Sequence, residues 1–335
     1  MQRLVRMGMM PYRQKNARGG FKPHLAVKFR SEEGSLRSFF IDSTRVAAKY
    51  PQPDAYLITH AHSDHHGSSA MLSECSICTE KTMNALEVRH NRDFKGNLAG
   101  ENGLIDYRGV KIRTYPTHHT DGSVAFGWEN ENGMRILATG DVKDASNLPS
   151  CDVLITEANY GDPADLSCYF EDDLEGFYAA LESPQDVAFG AYPFGKAQRV
   201  VRLIRQSGYE GPIGMDDRSQ ELTQNLLENA GELVSMDERA KVNVVSPDKL
   251  EDLPLYMSKY MITGRRDHRF PSINISDHLD ASGLEKMVMD IDPEFVVVYH
   301  PGGHRPSRFA CHLNSLGYDA VCLADIHNVV SNEFM

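Results

Sequence analysis

Apolar and polar positions change their period once along the chain. Between about residues 24 and 160, short apolar runs recur at 25–29, 38–41, 56–58, 76–78, 110–114, 124–128, 134–139 and 153–155, with Gly, Asn, Asp and Pro in the gaps. Runs of that length bounded by turn formers predict strands. One helix is predicted among them, with Thr79 as its N-cap and Thr82 to Val88 following. After Gly161-Asp162-Pro163 the pattern alternates. Helices are predicted at 173–181, 196–206 (opened by Gly195), 220–228, 284–290 and 307–316, and strands at 187–191, 260–263, 273–276 and 295–298. Such alternation predicts α/β layering. There is no repeat and no low-complexity linker. Residues 163–269 read as an insertion into a first domain made of 24–162 and 270–335.

Composition adds limits. With 335 residues the chain is long enough for two domains, and 41% hydrophobic with 24% charged residues is the balance of an ordinary globular protein. No apolar run approaches the ~20 residues of a membrane-spanning helix, and no apolar stretch near the start reads as a secretory leader, so no membrane association is expected. The six cysteines include one close pair, Cys75 and Cys78; a zinc ribbon needs a second pair, so these read as small buried residues of a strand. A reducing, cytoplasmic location is the expectation. The net charge of −12 is uneven: residues 1–30 carry eight Lys/Arg and no acid, the remainder 27 Lys/Arg against 47 Asp/Glu. An acidic body argues against broad, nonspecific nucleic-acid binding but leaves room for a local basic groove. Residues 1–23 are expected to form a disordered basic arm; Pro11 and Gly19-Gly20 break the long amphipathic helix that a transit peptide would need.

Chemistry concentrates at 59–67, Thr-His-Ala-His-Ser-Asp-His-His-Gly, directly after the apolar run Ala-Tyr-Leu-Ile. His60 and His62 are two apart and project to one side of an extended backbone, and Asp64 and His65 follow at once. Four metal-binding side chains thus sit on one loop, with the donor types of a zinc site that keeps open positions. Further donors recur at the ends of predicted strands. His119, with His118 as the alternative, lies in Tyr-Pro-Thr-His-His-Thr-Asp-Gly-Ser; Asp141 ends Ile-Leu-Ala-Thr-Gly-Asp; His278 ends Asn-Ile-Ser-Asp-His; His300 ends Val-Val-Val-Tyr-His. His304 follows closely enough to compete with His300 as a ligand.

These strings resemble the metallo-β-lactamase superfamily and, within it, the β-CASP nucleases. Phe-Phe-Ile-Asp42 is similar to the first motif, the 60–65 loop to the second, His119 to the third and Asp141 to the fourth. Leu-Ile-Thr-Glu157, Pro-Phe-Gly-Lys-Ala-Gln at 193–198, Ser-Asp-His278 and Tyr-His300-Pro-Gly resemble the β-CASP-specific segments. The resemblance implies an αββα metallo-β-lactamase sandwich with a small inserted α/β β-CASP cap. It implies two Zn2+ ions, one on His60, His62, His119 and Asp141, the other on Asp64, His65, Asp141 and His300. It carries over His278 as general acid, Glu157 as its orienting acid, Asp64 among the catalytic groups, and Asp42 as support for the histidine loop. Lys196, Arg199 and His304 are expected to contact substrate, single-stranded RNA or DNA; a homodimer is compatible with this reading. The implied activity is phosphodiester hydrolysis, with RNA exonuclease or RNA processing foremost. The rivals are a DNA nuclease of the same family, a thioesterase or lactonase on the same metal core, and a catalytically silent subunit. The separation of 159 positions from Asp141 to His300 makes room for a cap and disfavours the small-molecule hydrolase; the full ligand set disfavours the silent subunit.

Overall fold

The computed structural model describes residues 2–15, 21–47, 51–65, 68–264, 269–299 and 303–326. Contacts divide it into two units: residues 1–118, 122–169 and 278–335 form the first, residues 119–121 and 170–277 the second. The second unit's main segment, 170–277, interrupts the first. Among the described residues no helix is long and apolar enough to cross a membrane.

The first unit holds two six- and seven-stranded sheets. Strands β1 (Met9–Lys15), β2 (Phe21–Arg30), β3 (Leu36–Ile41), β4 (Ala55–Leu57), β5 (Ser76–Thr79) and β6 (Asn97–Ala99) lie in that order in the first, antiparallel up to β3 and parallel from β3 on. The second runs from β7 (Leu104–Tyr107) through β8 (Val110–Pro116), β9 (Val124–Glu129), β10 (Arg135–Ala138) and β11 (Val153–Thr156) to two strands that follow the insertion, β18 (Phe295–Val298) and β19 (Ala320–Cys322). In β8, Val110, Ile112 and Thr114 are buried while Lys111 and Arg113 are exposed, the two-residue period of a strand with one wet face. The central strands β4, β11 and β18 are buried throughout. Side chains of both sheets meet in one core, where Phe39 stands edge-on to Phe29 (centroids 4.9 Å apart) and to Trp128 (5.4 Å). Each such aromatic pair contributes about 0.5–1.5 kcal/mol beyond its buried area.

Helices α1 (Gln2–Arg6) and α2 (Glu80–His90) belong to the first half of this unit; α6 (Ala281–Ile291) and α7 (Arg305–Ser315) pack Leu284, Met287, Val288, Phe309 and Leu313 against the other face of the second sheet. Thr79 caps α2 as predicted, its hydroxyl accepting from the amide of Thr82 at 3.2 Å. The N-terminal residues depart from expectation. Residues 2–6 are helical, and β1 pairs antiparallel with β2, with Leu4, Met9 and Met10 buried. The arginine count masked this apolar set, which gives the segment enough surface to bury for it to dock.

The second unit is built on an all-parallel sheet in the order β14 (Leu233–Ser235), β13 (Ile213–Met215), β15 (Val242–Val245), β12 (Val187–Gly190), β16 (Ser258–Ile262), β17 (Ser272–Ile273). Its helices are α3 (Leu174–Glu182), α4 (Lys196–Gln206) and α5 (Asp217–Leu226). Helix α4 buries Ala197, Val200, Val201 and Ile204 in the unit's core. The chain enters and leaves this unit side by side: the Asp173 amide donates to the Asn274 carbonyl (2.7 Å), the Ser276 amide to the Asp172 carboxylate (2.9 Å), and the Asn274 side chain to the Glu171 carbonyl (3.0 Å).

Candidate metal centre

The histidine loop begins where β4 ends and is held from below by Asp42. This residue follows β3 with φ +46° and is fully buried. Its carboxylate accepts the Thr59 amide and the Thr59 hydroxyl, each at 2.8 Å, and Nδ1–H of His65 at 3.0 Å. With its proton given to Asp42, the Thr59 hydroxyl offers a lone pair to Nδ1–H of His60, 3.0 Å away. On the turn after β8, Nδ1 of His119 donates to the Asp277 main-chain carbonyl at 2.7 Å. Three imidazoles thus have Nδ1 tied to oxygen, which leaves Nε2 as the ligand atom in each. Arg89 of α2 donates to the Ala61 carbonyl and braces the loop between its two leading histidines.

Asp141 reaches the same place from β10 through Thr139 and Gly140. Gly140 has φ +61°, and a Cβ there would run into the Thr59 side chain, so the backbone of this turn can lie against the Asp42–Thr59 support only as glycine. One Asp141 oxygen is 3.2 Å from Nε2 of His65, the other 3.8 Å from Nε2 of His60. One ligand atom each from His60, His62, His119 and Asp141 lies within 4.8 Å of the others, and the same holds for Asp141, Glu157 and His278. Donors about 2.1 Å from a tetrahedral ion stand roughly 3.4 Å apart. Imidazole nitrogens and carboxylate oxygens at such spacings fit a divalent cation such as zinc.

The electrostatics agree with that fit. Burial pulls the His62 imidazolium down to about 4, although Asp141 and Asp64 oppose it. Burial also disfavours the His65 cation, but Asp141 and Asp42 outweigh it and hold His65 well above the usual range. Burial and the neighbouring carboxylates push the Tyr299 phenol well up.

Glu157, fully buried after β11, accepts the Val142 amide at 2.7 Å and faces Nδ1 of His278 with both oxygens at 3.1 Å. The His278 side chain is 18% exposed, and the Asn159 amide lies 3.4 Å from its Nε2.

His119 is buried and His118 exposed, which separates the two alternatives. Asp64 is half exposed, 4.0 Å from Nε2 of His65. His304 is 73% exposed and pairs with Asp162 at 3.4 Å. His300 lies outside the described residues. Lys196 and Arg199, expected on substrate, present no free charge: Lys196 is buried against Asp277 at 2.8 Å, and Arg199 pairs with Asp277 at 2.9 Å and with Asp172. A basic stripe at helical spacing cannot reveal acids that arrive from 27 and 78 positions away. The sequence reading assigned nothing to Thr59, Asp277, Tyr299 or His24. The first three stood inside the quoted strings. His24, drawn down to about 4 by burial, by Lys22 and by His65, carried no signal beyond being a histidine.

No family model matches the chain. It is 24% identical to an RNase J-like protein of Methanocaldococcus jannaschii over 182 residues, 45% of this chain and 43% of that protein. It is 24% identical to RNase aCSPSF2 of Saccharolobus solfataricus over 213 residues, 51% of this chain and 42% of that protein. An uncharacterized protein in the lig 3′ region of Acidianus ambivalens is 28% identical over 120 residues, 34% of this chain and 84% of its own length. The chain thus matches less than half the length of the two relatives named as RNases. A crystal structure of a protein of unknown function from Enterococcus faecalis V583 shares the fold, with a TM-score of 0.63 at 12% identity, covering 94% of this chain and 97% of that one.

Proposed function

We propose that this protein is a metal-dependent nuclease that hydrolyses phosphodiester bonds of single-stranded RNA, working from an end on a pair of zinc ions. The observation that carries the reading is the coincidence of two constellations: the His60, His62, His119 and Asp141 group, and beside it His278 backed by Glu157 and sharing Asp141. The first is a metal-binding set; the second is an acid with an orienting carboxylate. The RNase names of two relatives favour a nucleic-acid substrate.

A bound divalent pair supplies Lewis acidity and a water acidic enough to be deprotonated near neutral pH. The protein's own residues do the rest. Asp42 and Thr59 fix His65 and His60 as Nε2 donors. Glu157 takes Nδ1–H of His278 and stabilises the imidazolium, so that Nε2 can protonate a departing 3′- or 5′-oxygen. His65, Asp64 and His300 are assigned to the second ion.

Single-stranded RNA and DNA labelled at the 5′ or the 3′ end, incubated with the zinc-loaded protein and with His278→Ala, test the proposal. Mononucleotides released from one RNA end, and their loss in the variant, are expected. Faster cleavage of DNA would shift the substrate class. Inactivity on every polymer, with turnover of a thioester, would sink the nuclease reading. Metal analysis counts the ions separately.

A further inference from the structure

The first turn of α4 grips three consecutive residues, 275 to 277, within the second unit. Lys196 Nζ donates to the Ile275 carbonyl and to Oδ2 of Asp277, both at 2.8 Å; Arg199 takes the Ser276 carbonyl, Oδ1 of Asp277 at 2.9 Å, and Asp172. Lys196 and Asp277 are buried, at 8% and 5% exposure. Burial alone would raise the Asp277 carboxyl, but Lys196 and Arg199 hold it far below the usual carboxylate range. Two cations, Lys196 and Arg199, face two carboxylates, Asp172 and Asp277.

Ion pairs this buried recover little more than their own desolvation, so stability does not explain them. What they define is the position of one peptide group. The carbonyl of Asp277 is the acceptor for Nδ1–H of His119. We propose that the Lys196–Arg199–Asp277 clamp is a positioning device for His119: it fixes the Asp277 carbonyl so that this imidazole keeps its proton on Nδ1 and presents Nε2 to the metal. The proposal rests on reading His119 as a metal ligand. It gives Lys196 and Arg199 a role that does not require them to touch substrate.

The test has two readouts that need no catalysis. The first is the His119 tautomer, from nitrogen NMR of metal-free protein labelled in histidine, with the His119 signals identified by their loss in His119→Ala. The second is Zn2+ affinity by competition with a chromophoric chelator, for wild type, Lys196→Met and Asp277→Asn. Wild type is expected to hold His119 in a single, Nδ1-protonated form. Each clamp variant is expected to mix tautomers and to weaken binding about 10- to 100-fold, the usual effect of losing an outer support. A wild-type His119 protonated on Nε2 overturns the proposal, and this needs no variant to fold. Cooperatively melting variants with unchanged Zn2+ affinity overturn it too, while His119→Ala still loses metal. If His119→Ala binds as wild type does, the ligand reading fails and takes the inference with it.

Discussion

Replacing Asp42 with Asn changes one atom of the support beneath the histidine loop, and its effect can be worked through. Asn tolerates the left-handed backbone that Asp42 adopts at φ +46°, so the turn after β3 is not strained by the change. The carbonyl oxygen of Asn can still accept the Thr59 amide, and the Thr59 hydroxyl can turn to accept from the new NH2. His65 cannot adjust as cheaply. Its Nδ1–H, now 3.0 Å from a carboxylate oxygen, would meet a donor. It escapes by moving its proton to Nε2, the atom that faces Asp141 and that a metal requires. A hydrogen bond to a charged group contributes roughly 1.5–3 kcal/mol. At about 1.4 kcal/mol per tenfold, that predicts metal binding weaker by about 10- to 100-fold. Folding is expected to change little, because removing a fully buried carboxylate also removes its desolvation cost. The assay is chelator competition for bound Zn2+, with thermal melting alongside. An Asp42→Asn protein that binds Zn2+ with wild-type affinity refutes the tautomer argument; one that fails to fold refutes the claim that the support acts on the ligand rather than on the sheet.

Gly140→Ala forces a Cβ against Thr59 at φ +61°, and is expected to cost roughly 2–4 kcal/mol and to impair metal uptake; Gly208→Ala, at φ +87° with open space around it, should show the backbone cost alone, and equal melting shifts for the two would contradict the packing argument. Glu157→Gln should lower kcat by about 100-fold or more while leaving metal content intact, and unchanged turnover would remove Glu157 from the acid's support. Burial disfavours the charged form of Asp216, but hydrogen bonds from Ser219 and Ser246 outweigh it and depress its carboxyl; the stabilisation is therefore present above the unfolded carboxylate pKa of about 3.9 and is lost as pH falls toward the lower folded value. Denaturant titrations should show Asp216→Ala less stable at pH 7 by roughly 2–4 kcal/mol, with the gap from wild type shrinking as pH falls below about 4; a constant gap would mean the carboxylate is not the source.

The sequence displayed the chemistry better than the scaffolding. His60, His62, His119 and Asp141 were legible because donors at strand ends stand out against apolar runs, although β4 belongs to the first sheet and β8 and β10 to the second. The short strands β6, β7, β13 and β14 were not legible. Patterns such as the alternating exposed and half-buried residues of β7, or three half-buried residues in β14, carry too little apolar signal, and pairing partners define those strands instead. β17 extends for only Ser272–Ile273, because residues beyond it leave the sheet for the α4 clamp. The clamp escaped the sequence reading because its meaning lies in a carbonyl, and every residue has one.

The stitched neck at residues 171–173 and 274–276 has a consequence for how such a chain can vary. Loop closure cost grows only with the logarithm of length, about 0.6 kcal/mol per doubling, once the ends are brought together. Here the ends are joined by the insertion's own hydrogen bonds, across 104 positions from Asp172 to Ser276. For the strands on either side, the inserted chain therefore counts as one short bridge, whatever it encloses. Its interior can lengthen, shrink or exchange helices while β11 and β18 keep their register, and the residues least free to change are the few that sew the bridge shut.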